Sequence, residues 1–218
     1  MGKNILVAAA TAKEINPFIQ SLRNGQLSKN NIDVLISGIG LTASTYHFTK
    51  QLKVKEYDLV IQAGVAGSFD RKIPPGAVVA VKQDAIADQS VIELKKLKTL
   101  FDLKLVPQDQ HPHRKGWLVN PNIATLKKIK LKTVKGISVN QISTSKQMIK
   151  FYKNVFDPVT ESMEGAALHY VCLMEKVPFV QIRAISNYIG ERNKKKWDMN
   201  DSINNLNQAL KSIINSLA

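Results

Sequence analysis

The sequence predicts an α/β fold, a single three-layer α/β/α domain over residues 1–218 around a mainly parallel, twisted central sheet. Two patterns predict this class. Short apolar runs without polar alternation recur along the chain, as is typical of strands that are buried on both faces of a sheet. Segments with apolar residues at helical spacing lie between these runs. A length of 218 residues suits one domain with its own hydrophobic core.

The predicted strands are short segments rich in aliphatic and β-branched residues. They cover residues 4–10, 32–36, 57–63, 77–81, 133–139 and 177–185. The stretch 84–117 has mixed helix and strand signals, so we predict no regular element there, only a polar loop over 107–115. Asp109, His111 and His113 in this loop raise the question of a metal ion. Because no fourth ligand lies near and the two histidines are separated by a proline, we predict a surface loop and no metal site.

Start signals and amphipathic spacing locate the helices. The pair Asn16-Pro17 predicts the start of the first helix, because asparagine caps helices and proline fits their first turn. Further helices are predicted over 41–52, 120–130, 144–156 and 166–176. Asp201 or Ser202 is predicted to cap the last helix. We expect the apolar face of that helix in the core, and it carries Ile203, Leu206, Leu210, Ile213 and Leu217.

The composition argues against a nucleic-acid partner despite a formal net charge of +14. Only five of the 31 basic residues are arginine, the side chain that bidentate phosphate and base contacts favour. The lysines are spread along the chain without interleaved aromatic residues on which bases could stack. We therefore expect a solvated, lysine-rich surface whose positive field speeds the capture of an anionic small substrate.

The remaining bulk features predict a cytoplasmic protein with no membrane partner. No run reaches the ~18 consecutive apolar residues of a membrane span. The apolar run near the start is short and is better explained by a strand than by a targeting segment. A single cysteine, Cys172, excludes an internal disulfide and suits a reducing compartment.

Three polar residues stand where strands meet helices or loops. Glu14 falls at the C-terminal edge of the first predicted strand, Glu164 lies just before helix 166–176, and Asn187 follows strand 177–185. Ligands bind at this edge in open α/β sheets. On the pattern alone, the two glutamates can also be first-turn acids that the helix dipole favours, and Asn187 a turn residue.

The residues around Glu164 and Asn187 resemble a known family. This chain carries SMEGAALHYVC at residues 162–172 and VPFVQIRAISN at residues 177–187. Together these two segments resemble the core signature of the purine nucleoside phosphorylase and nucleosidase superfamily. That superfamily includes 5′-methylthioadenosine/S-adenosylhomocysteine nucleosidases. Within that superfamily, the run IRAISNYIGERNKKKW, residues 182–197, most resembles the futalosine hydrolases. These enzymes remove hypoxanthine from a menaquinone precursor.

This resemblance implies catalytic roles for the three polar residues. Glu14 would hold and deprotonate the attacking water, and Glu164 would accept hydrogen bonds from the ribose hydroxyls. Asn187 would contact the base at a position where the adenine-cleaving relatives carry aspartate. An amide can donate as well as accept, which fits the O6 and N7 acceptors of a 6-oxopurine such as hypoxanthine.

The resemblance also implies substrate contacts from the glycine-rich segment, the base loop and the sugar-binding turn. These contacts would come from Gly64, Val65, Ala66, Gly67, Gln141, Ile142, Ser162, Met163 and Arg192. Met163 would pack beneath the sugar, and Ile142 stands where the family usually has an aromatic residue. Arg192, or a lysine of 194–196, would pair with the carboxylate of futalosine.

Several departures from the family pattern bear on the reaction. Phosphorylases place an arginine where this chain has Gln62-Ala63, and the loops at Glu14 and at the SGIG turn, residues 37–40, contain no arginine. These differences favour water over phosphate as the attacking group. Val65 replaces a serine of the adenosine-cleaving relatives, and Asn193 replaces an acid of the closest pattern.

The sequence therefore predicts a homodimeric or larger enzyme that hydrolyses futalosine to release hypoxanthine, with no cofactor and no metal. Three alternatives stay open. The first is an adenosine-type nucleosidase acting on 5′-methylthioadenosine or S-adenosylhomocysteine, and the second is a purine nucleoside phosphorylase. The third is a non-catalytic binder of nucleosides or nucleic acid, which the net charge of +14 would favour.

Overall fold

A computed structural model describes residues 2–25, 27 and 30–217. Its helices are α1 (Ala12–Arg23), α2 (Leu41–Val54), α3 (Ile123–Lys128), α4 (Lys146–Phe156), α5 (Gly165–Met174) and α6 (Met199–Ser216). Its strands are β1 (Asn4–Ala9), β2 (Asn31–Ile36), β3 (Leu59–Ser68), β4 (Val78–Asp84), β5 (Ser90–Glu93), β6 (Lys96–Thr99), β7 (Leu118–Val119), β8 (Lys132–Ser138), β9 (Thr160–Ser162) and β10 (Phe179–Tyr188). Strands and helices alternate along much of the chain, so the α/β class is confirmed.

The main sheet is mixed and partly closed. Its order is β10-β4-β8-β9-β3-β1-β2, and β10 also pairs with β3. The strands β3, β10, β4, β8 and β9 therefore form a barrel-like ring, from which β1 and β2 extend. Pairing is parallel from β2 through β1 and β3 to β10, but β9 runs antiparallel to β3 and β4 runs antiparallel to β10. The mainly parallel sheet is thus confirmed only in part.

Helices cover both faces of the sheet. On one face, α1 and α6 pack on side chains such as Val7 and Ile61, with Leu206 in the same cluster. On the other face, α2 and α5 pack against Leu6, and Phe48 belongs to that cluster. Successive side chains of β1 therefore enter opposite cores. The predicted apolar face of the last helix is confirmed, because all five members are buried: Ile203, Leu206, Leu210, Ile213 and Leu217.

Both β3 and β10 continue beyond their predicted ends. β3 runs on through Gly64 and Gly67, beyond the predicted strand 57–63, and Asn187 lies inside β10 rather than past its end. The two extensions pair with each other, with Asn187 opposite Gly67. On its other side Gly67 pairs with Glu161 of β9. Hydrogen bonding from neighbouring strands on both sides extends β3 over a glycine-containing segment that was not predicted as part of the strand.

Two further elements differ from the prediction. The stretch 84–117 contains the antiparallel hairpin β5–β6, where no element was expected. The helix α6 begins at Met199, because the Asp198 side chain accepts a hydrogen bond from the Asp201 N–H at 3.3 Å. Asp198 is therefore the N-cap, and neither Asp201 nor Ser202 is. None of the helices formed by the described residues is long and apolar enough to cross a bilayer.

The first helix starts earlier than Asn16-Pro17. Thr11 is its N-cap, and the Thr11 N–H and hydroxyl both donate to Glu14 Oε2, at 3.0 and 2.9 Å. This is the acid-to-cap contact of a capping box, which satisfies a free donor at the helix start. Pro17 then falls inside the helix rather than at its first turn. The capping acid Glu14 is thereby held at the C-terminal end of β1.

A side chain from α6 compensates for Pro17. In a regular helix the Phe18 N–H would bond to the Glu14 carbonyl, but the proline ring crowds the preceding turn. The buried Asn207 amide bonds to both groups: Phe18 N–H donates to Oδ1 at 3.0 Å, and Nδ2 donates to the Glu14 carbonyl at 2.8 Å. Asn207 therefore fixes the backbone of Glu14 as well as the contact between the two helices.

We predict that Asn207→Ala destabilises the protein by about 2–4 kcal/mol, since two buried backbone groups lose their partner. Urea denaturation of the variant and of wild type measures this difference. Asn204→Ala is the matched control, because Asn204 lies on the same helix and is exposed. Equal losses for the two variants would contradict the prediction.

Candidate active site

A cavity of about 280 Å³ opens where the C-terminal ends of β1, β3 and β10 meet the segment from β9 into α5. Ligands bind at such an edge of α/β sheets. Its lining is mainly apolar, with a few buried carboxylates and one amide. It consists of Ala10, Thr11, Lys13, Glu14, Ile39, Val65, Ala66, Gly67, Ile142, Glu161, Ser162, Met163, Glu164, Ser186, Asn187, Ile189, Trp197, Met199 and Ile203.

Most of the residues predicted from the sequence meet at this cavity. Those that line it are Glu14, Val65, Ala66, Gly67, Ile142, Ser162, Met163, Glu164 and Asn187. Three predicted residues do not line it. Gly64 lies behind the wall, where a side chain would run into the Arg183 guanidinium and the Glu14 carboxylate. Gln141 is exposed and faces a neighbouring pocket. Arg192 is exposed, 5.7 Å over the ring of Trp197, which does line the cavity.

Glu14 is held from two elements. Its Oε2 accepts the two hydrogen bonds from Thr11, and its Oε1 accepts one from the Val65 N–H of β3 at 3.1 Å. The side chain is 8% exposed, so almost all of its surface is enclosed. Three donors fix the carboxylate rotamer while the group still faces the cavity. This is the geometry of a carboxylate that can orient a small ligand such as water.

Glu164 is the N-cap residue of α5 and lines the same cavity as Glu14. Its Oε1 accepts a hydrogen bond from the Gly40 N–H at 3.1 Å. Gly40 has a φ of 89°, a left-handed conformation that favours glycine, which explains the last glycine of the SGIG turn. Burial raises the pKa of the Glu164 carboxyl, the Arg183 guanidinium opposes that rise, and the charge on Glu14 adds to it.

Arg183 is a site residue that the sequence analysis missed. It lies in β10, is 1% exposed, and its Nη1 is 3.7 Å from Glu164 Oε2. Its Nη2 donates to Gln62 Oε1 at 2.9 Å. The available signal was a charged residue inside a strand predicted to be buried, because arginine is almost never buried without a partner. The arginine therefore anchors Glu164 from behind the cavity.

A buried polar group supports the start of α5. The Ser138 hydroxyl donates to Asp84 Oδ1 at 3.0 Å and accepts the Ala166 N–H at 2.8 Å. Burial raises the pKa of Asp84 to about 6, against the opposing charge of Arg183. A side chain at Gly165 would collide with Asp84 and with the Gln181 amide, so only glycine fits after Glu164. The chain is thus pinned on both sides of the candidate catalytic carboxylate.

Asn187 has a defined amide orientation. The Ser186 hydroxyl donates to Oδ1 at 2.9 Å, and Nδ2 donates to the Tyr188 carbonyl at 3.0 Å. The second N–H of Nδ2 has no partner assigned among the described residues and can donate to a ligand. The side chain thus offers a hydrogen-bond donor to the cavity that it lines.

Glu161 is a second site residue that the sequence analysis missed. It is 5% exposed and lines the cavity beside Ser162 and Met163. The Ser143 N–H donates to its Oε1 at 2.9 Å. Burial raises the pKa of the Glu161 carboxyl, the hydrogen bonds from Ser143 oppose the rise, and the charge of Asp88 adds to it. Its sequence signal was an acid two residues before Met163.

Comparison with known proteins agrees with this fold. The sequence model of the phosphorylase superfamily matches residues 5–217 of this chain. A mutant of the Helicobacter pylori nucleosidase MTAN with 5′-methylthioadenosine in its active site has a TM-score of 0.81 and 23% identity, covering 98% of this chain and 99% of that one. Futalosine hydrolase of Helicobacter pylori strain 26695 has a TM-score of 0.79 and 22% identity, with 97% of each chain covered.

A third similar structure is the 5′-methylthioadenosine/S-adenosylhomocysteine nucleosidase from Neisseria meningitidis, with a TM-score of 0.80 and 20% identity over 98% of this chain and 99% of that one. At such identities these structures establish the shared fold. The homodimer and the cytoplasmic location stay predictions. Because the family match extends over nearly the whole sequence, the chain belongs to the phosphorylase superfamily.

Proposed function

We propose that this protein is a hydrolytic N-glycosidase that cleaves futalosine and releases hypoxanthine, a step of menaquinone biosynthesis. The observation that carries the proposal is the meeting of two buried carboxylates, Glu14 and Glu164, with the amide of Asn187 at one cavity. Cleavage of a glycosidic bond needs a stabilised oxocarbenium-like sugar, a held water and a stabilised leaving base. Each of these needs has a candidate residue here.

Glu164 is the proposed partner of the sugar. Its carboxylate would accept hydrogen bonds from the ribose hydroxyls, and these bonds strengthen as positive charge develops on the ring. The Gly40 N–H and Arg183 hold the carboxylate in place, so it need not reorganise during the reaction. Met163 lines the cavity next to Glu164. Its proposed role is to pack beneath the sugar.

Glu14 is the proposed general base. Three donors from Thr11 and Val65 fix its carboxylate, and one further acceptor site can bind a water molecule. A positioned carboxylate that takes a proton from water in the transition state is typical of hydrolytic catalysis. Among the described residues that line the cavity, Lys13 is the one cationic side chain. This supports water rather than phosphate as the nucleophile.

Asn187 is the proposed partner of the leaving base. Its Oδ1 already accepts the Ser186 hydroxyl, whereas its second N–H is available. A donor suits the N7 and O6 acceptors of hypoxanthine, while the exocyclic amine of adenine needs an acceptor. Arg192 is the proposed partner of the futalosine carboxylate, since its stacking on Trp197 places its charge near the cavity mouth.

A first experiment follows base release from futalosine and from 5′-methylthioadenosine, each with and without phosphate. We expect hypoxanthine from futalosine at a rate that does not depend on phosphate. Adenine release instead would replace the proposed substrate by that of an adenosine-type nucleosidase, and a phosphate requirement would identify a phosphorylase. No release from either nucleoside would support the non-catalytic alternative.

We predict that Glu14→Gln and Glu164→Gln each lower kcat for futalosine by about 10²–10⁴-fold, the range typical for loss of a general base or of preorganised charge stabilisation. Glu56→Gln, which changes an exposed glutamate, is the matched control and should keep wild-type kcat. Steady-state kinetics with all three variants measures this. Retention of activity by either cavity variant would contradict the assigned role.

We predict an acid limb in the pH–rate profile with an apparent pKa above 4.5, the ordinary glutamate value, because Glu164 must be ionised and burial raises its pKa. Activity should therefore fall as the pH drops through that raised pKa. Arg183→Met removes the opposing positive charge, so it should move the acid limb to higher pH. Thermal unfolding would check that the variant is folded, and an unmoved limb would contradict the role of Arg183.

A further inference from the structure

We propose that Asp84 supplies the proton that the leaving base takes up, and that the hydroxyls of Ser138 and Ser162 carry this proton to the cavity. The inference rests on the proposed function, because it completes the hydrolysis that takes place in the same cavity. Asp84 itself does not line the cavity, so the two hydroxyls carry its effect on the reaction.

The identity of Asn187 creates the need for such a proton source. A leaving group departs more readily when it is protonated, and a positioned acid supplies that proton in many glycosidases. The amide of Asn187 can donate a hydrogen bond, but it has no proton that titrates near neutral pH. Glu14 and Glu164 are both proposed to be ionised when the reaction starts. The proton must therefore come from another acid.

A chain of side-chain oxygens joins the cavity to Asp84. Ser162 lines the cavity, and its Oγ lies 3.5 Å from Ser138 Oγ. Ser138 Oγ lies 3.0 Å from Asp84 Oδ1. All three side chains are buried. The 3.5 Å step is long compared with the usual hydroxyl separation of about 2.8 Å, so proton transfer requires the two serine side chains to approach each other.

Two backbone N–H groups at the start of α5 hold the serine oxygens. The Gly165 N–H donates to Ser162 Oγ at 3.3 Å, and the Ala166 N–H donates to Ser138 Oγ at 2.8 Å. A hydroxyl has one donor and two acceptor positions, so each serine keeps one acceptor position and its own O–H for the chain. Every O–H can point towards the cavity when Asp84 is protonated, and back towards Asp84 when it is ionised. A proton relay needs these two arrangements.

The surroundings of Asp84 allow its carboxyl to give and regain a proton. Burial raises its pKa to about 6, against the charge of Arg183 and nearby hydrogen bonds. The other titratable groups close to it belong to α5. Glu164, at the start of that helix, is paired with Arg183. His169 stays neutral near pH 6, because burial lowers its pKa to about 4. An acid works best when its pKa is close to the working pH.

The proposed step conserves atoms and charge. The bond from ribose to base breaks, its electron pair goes to the base, and a ring nitrogen of the base takes the Ser162 hydroxyl proton. Ser162 takes the proton of Ser138, and Ser138 takes that of Asp84, which is left ionised. Water adds to the sugar and gives its proton to Glu14. After product release, Glu14 loses this proton to solvent, and Asp84 regains one from solvent through the same hydroxyls.

A change of leaving group tests the inference. Futalosine releases a base that needs a proton, whereas p-nitrophenyl β-D-ribofuranoside releases an anion that is stable without one. We expect Asp84→Asn, which keeps the side-chain shape, to lower the rate with futalosine about 10²-fold. The rate with the nitrophenyl riboside should stay within threefold of wild type. Single-turnover kinetics measures both rates, so that product release does not mask the chemical step.

Variants of the two serines test the path. Ser138→Ala and Ser162→Ala each interrupt the chain, so each should slow futalosine much more than the nitrophenyl riboside. Ser212→Ala is the matched control and should keep wild-type rates with both substrates, because Ser212 is exposed on α6. Equal losses with both substrates in Asp84→Asn would show that Asp84 only supports the structure of the site, which overturns the inference.

The pH dependence gives a second test that needs only futalosine. Asp84 must be protonated to act, so the wild-type rate should fall as the pH rises through about 6. This alkaline limb should be missing in Asp84→Asn. A wild-type profile without such a limb overturns the inference, even where a variant does not fold or the nitrophenyl riboside is not cleaved.

The two proposals fail in different ways. If futalosine is hydrolysed but Asp84→Asn keeps the wild-type rate and profile, the enzyme assignment stands and the proton source is overturned. Loss of the alkaline limb in Glu161→Gln instead would assign the proton to that other buried acid and would also overturn the role of Asp84. If wild type cleaves neither futalosine nor the nitrophenyl riboside, the enzyme assignment fails and the inference falls with it.

Discussion

The pairing of β3 with strands on both of its sides is the constraint on which the site depends. The neighbours of β3 include β1, β9 and β10, which are far apart in the chain. Their ends therefore meet along the glycine-containing half of β3. The backbone of Val65 bonds to Glu14, and Gly67 pairs with Glu161 on one side and with Asn187 on the other. Small residues on β3 leave room for a ligand above the sheet, since the backbone itself forms the floor.

The cavity concentrates negative charge inside the protein. Glu14, Glu161 and Glu164 are all buried around it, and Arg183 is the buried cation that partners one of them. Such an arrangement is unfavourable for folding, because removing charges from water costs more than a single long ion pair returns. The same burial makes the carboxylates useful in catalysis, since electrostatic interactions are stronger where water is excluded.

Polar contacts that lie behind the cavity hold its carboxylates at defined positions. Asn207 on the last helix bonds to the backbone of Glu14, and Asp84 with Ser138 holds the first turn after Glu164. These groups do not line the cavity, yet each fixes an element that does. The site is therefore preorganised by buried hydrogen bonds between segments that are far apart in the chain.

The sequence by itself determined most of the secondary structure and placed Glu14, Glu164 and Asn187 at the ends of elements, because apolar periodicity and turn residues are local properties. It also contained the apolar face of α6. Only the tertiary structure decided that the sheet closes from β3 to β10, that Asn187 lies within a strand, and that the buried Arg183 and Glu161 belong to the site. Those features depend on pairings across long stretches of chain, as between Gly40 and Glu164, and a local pattern carries no information about such partners.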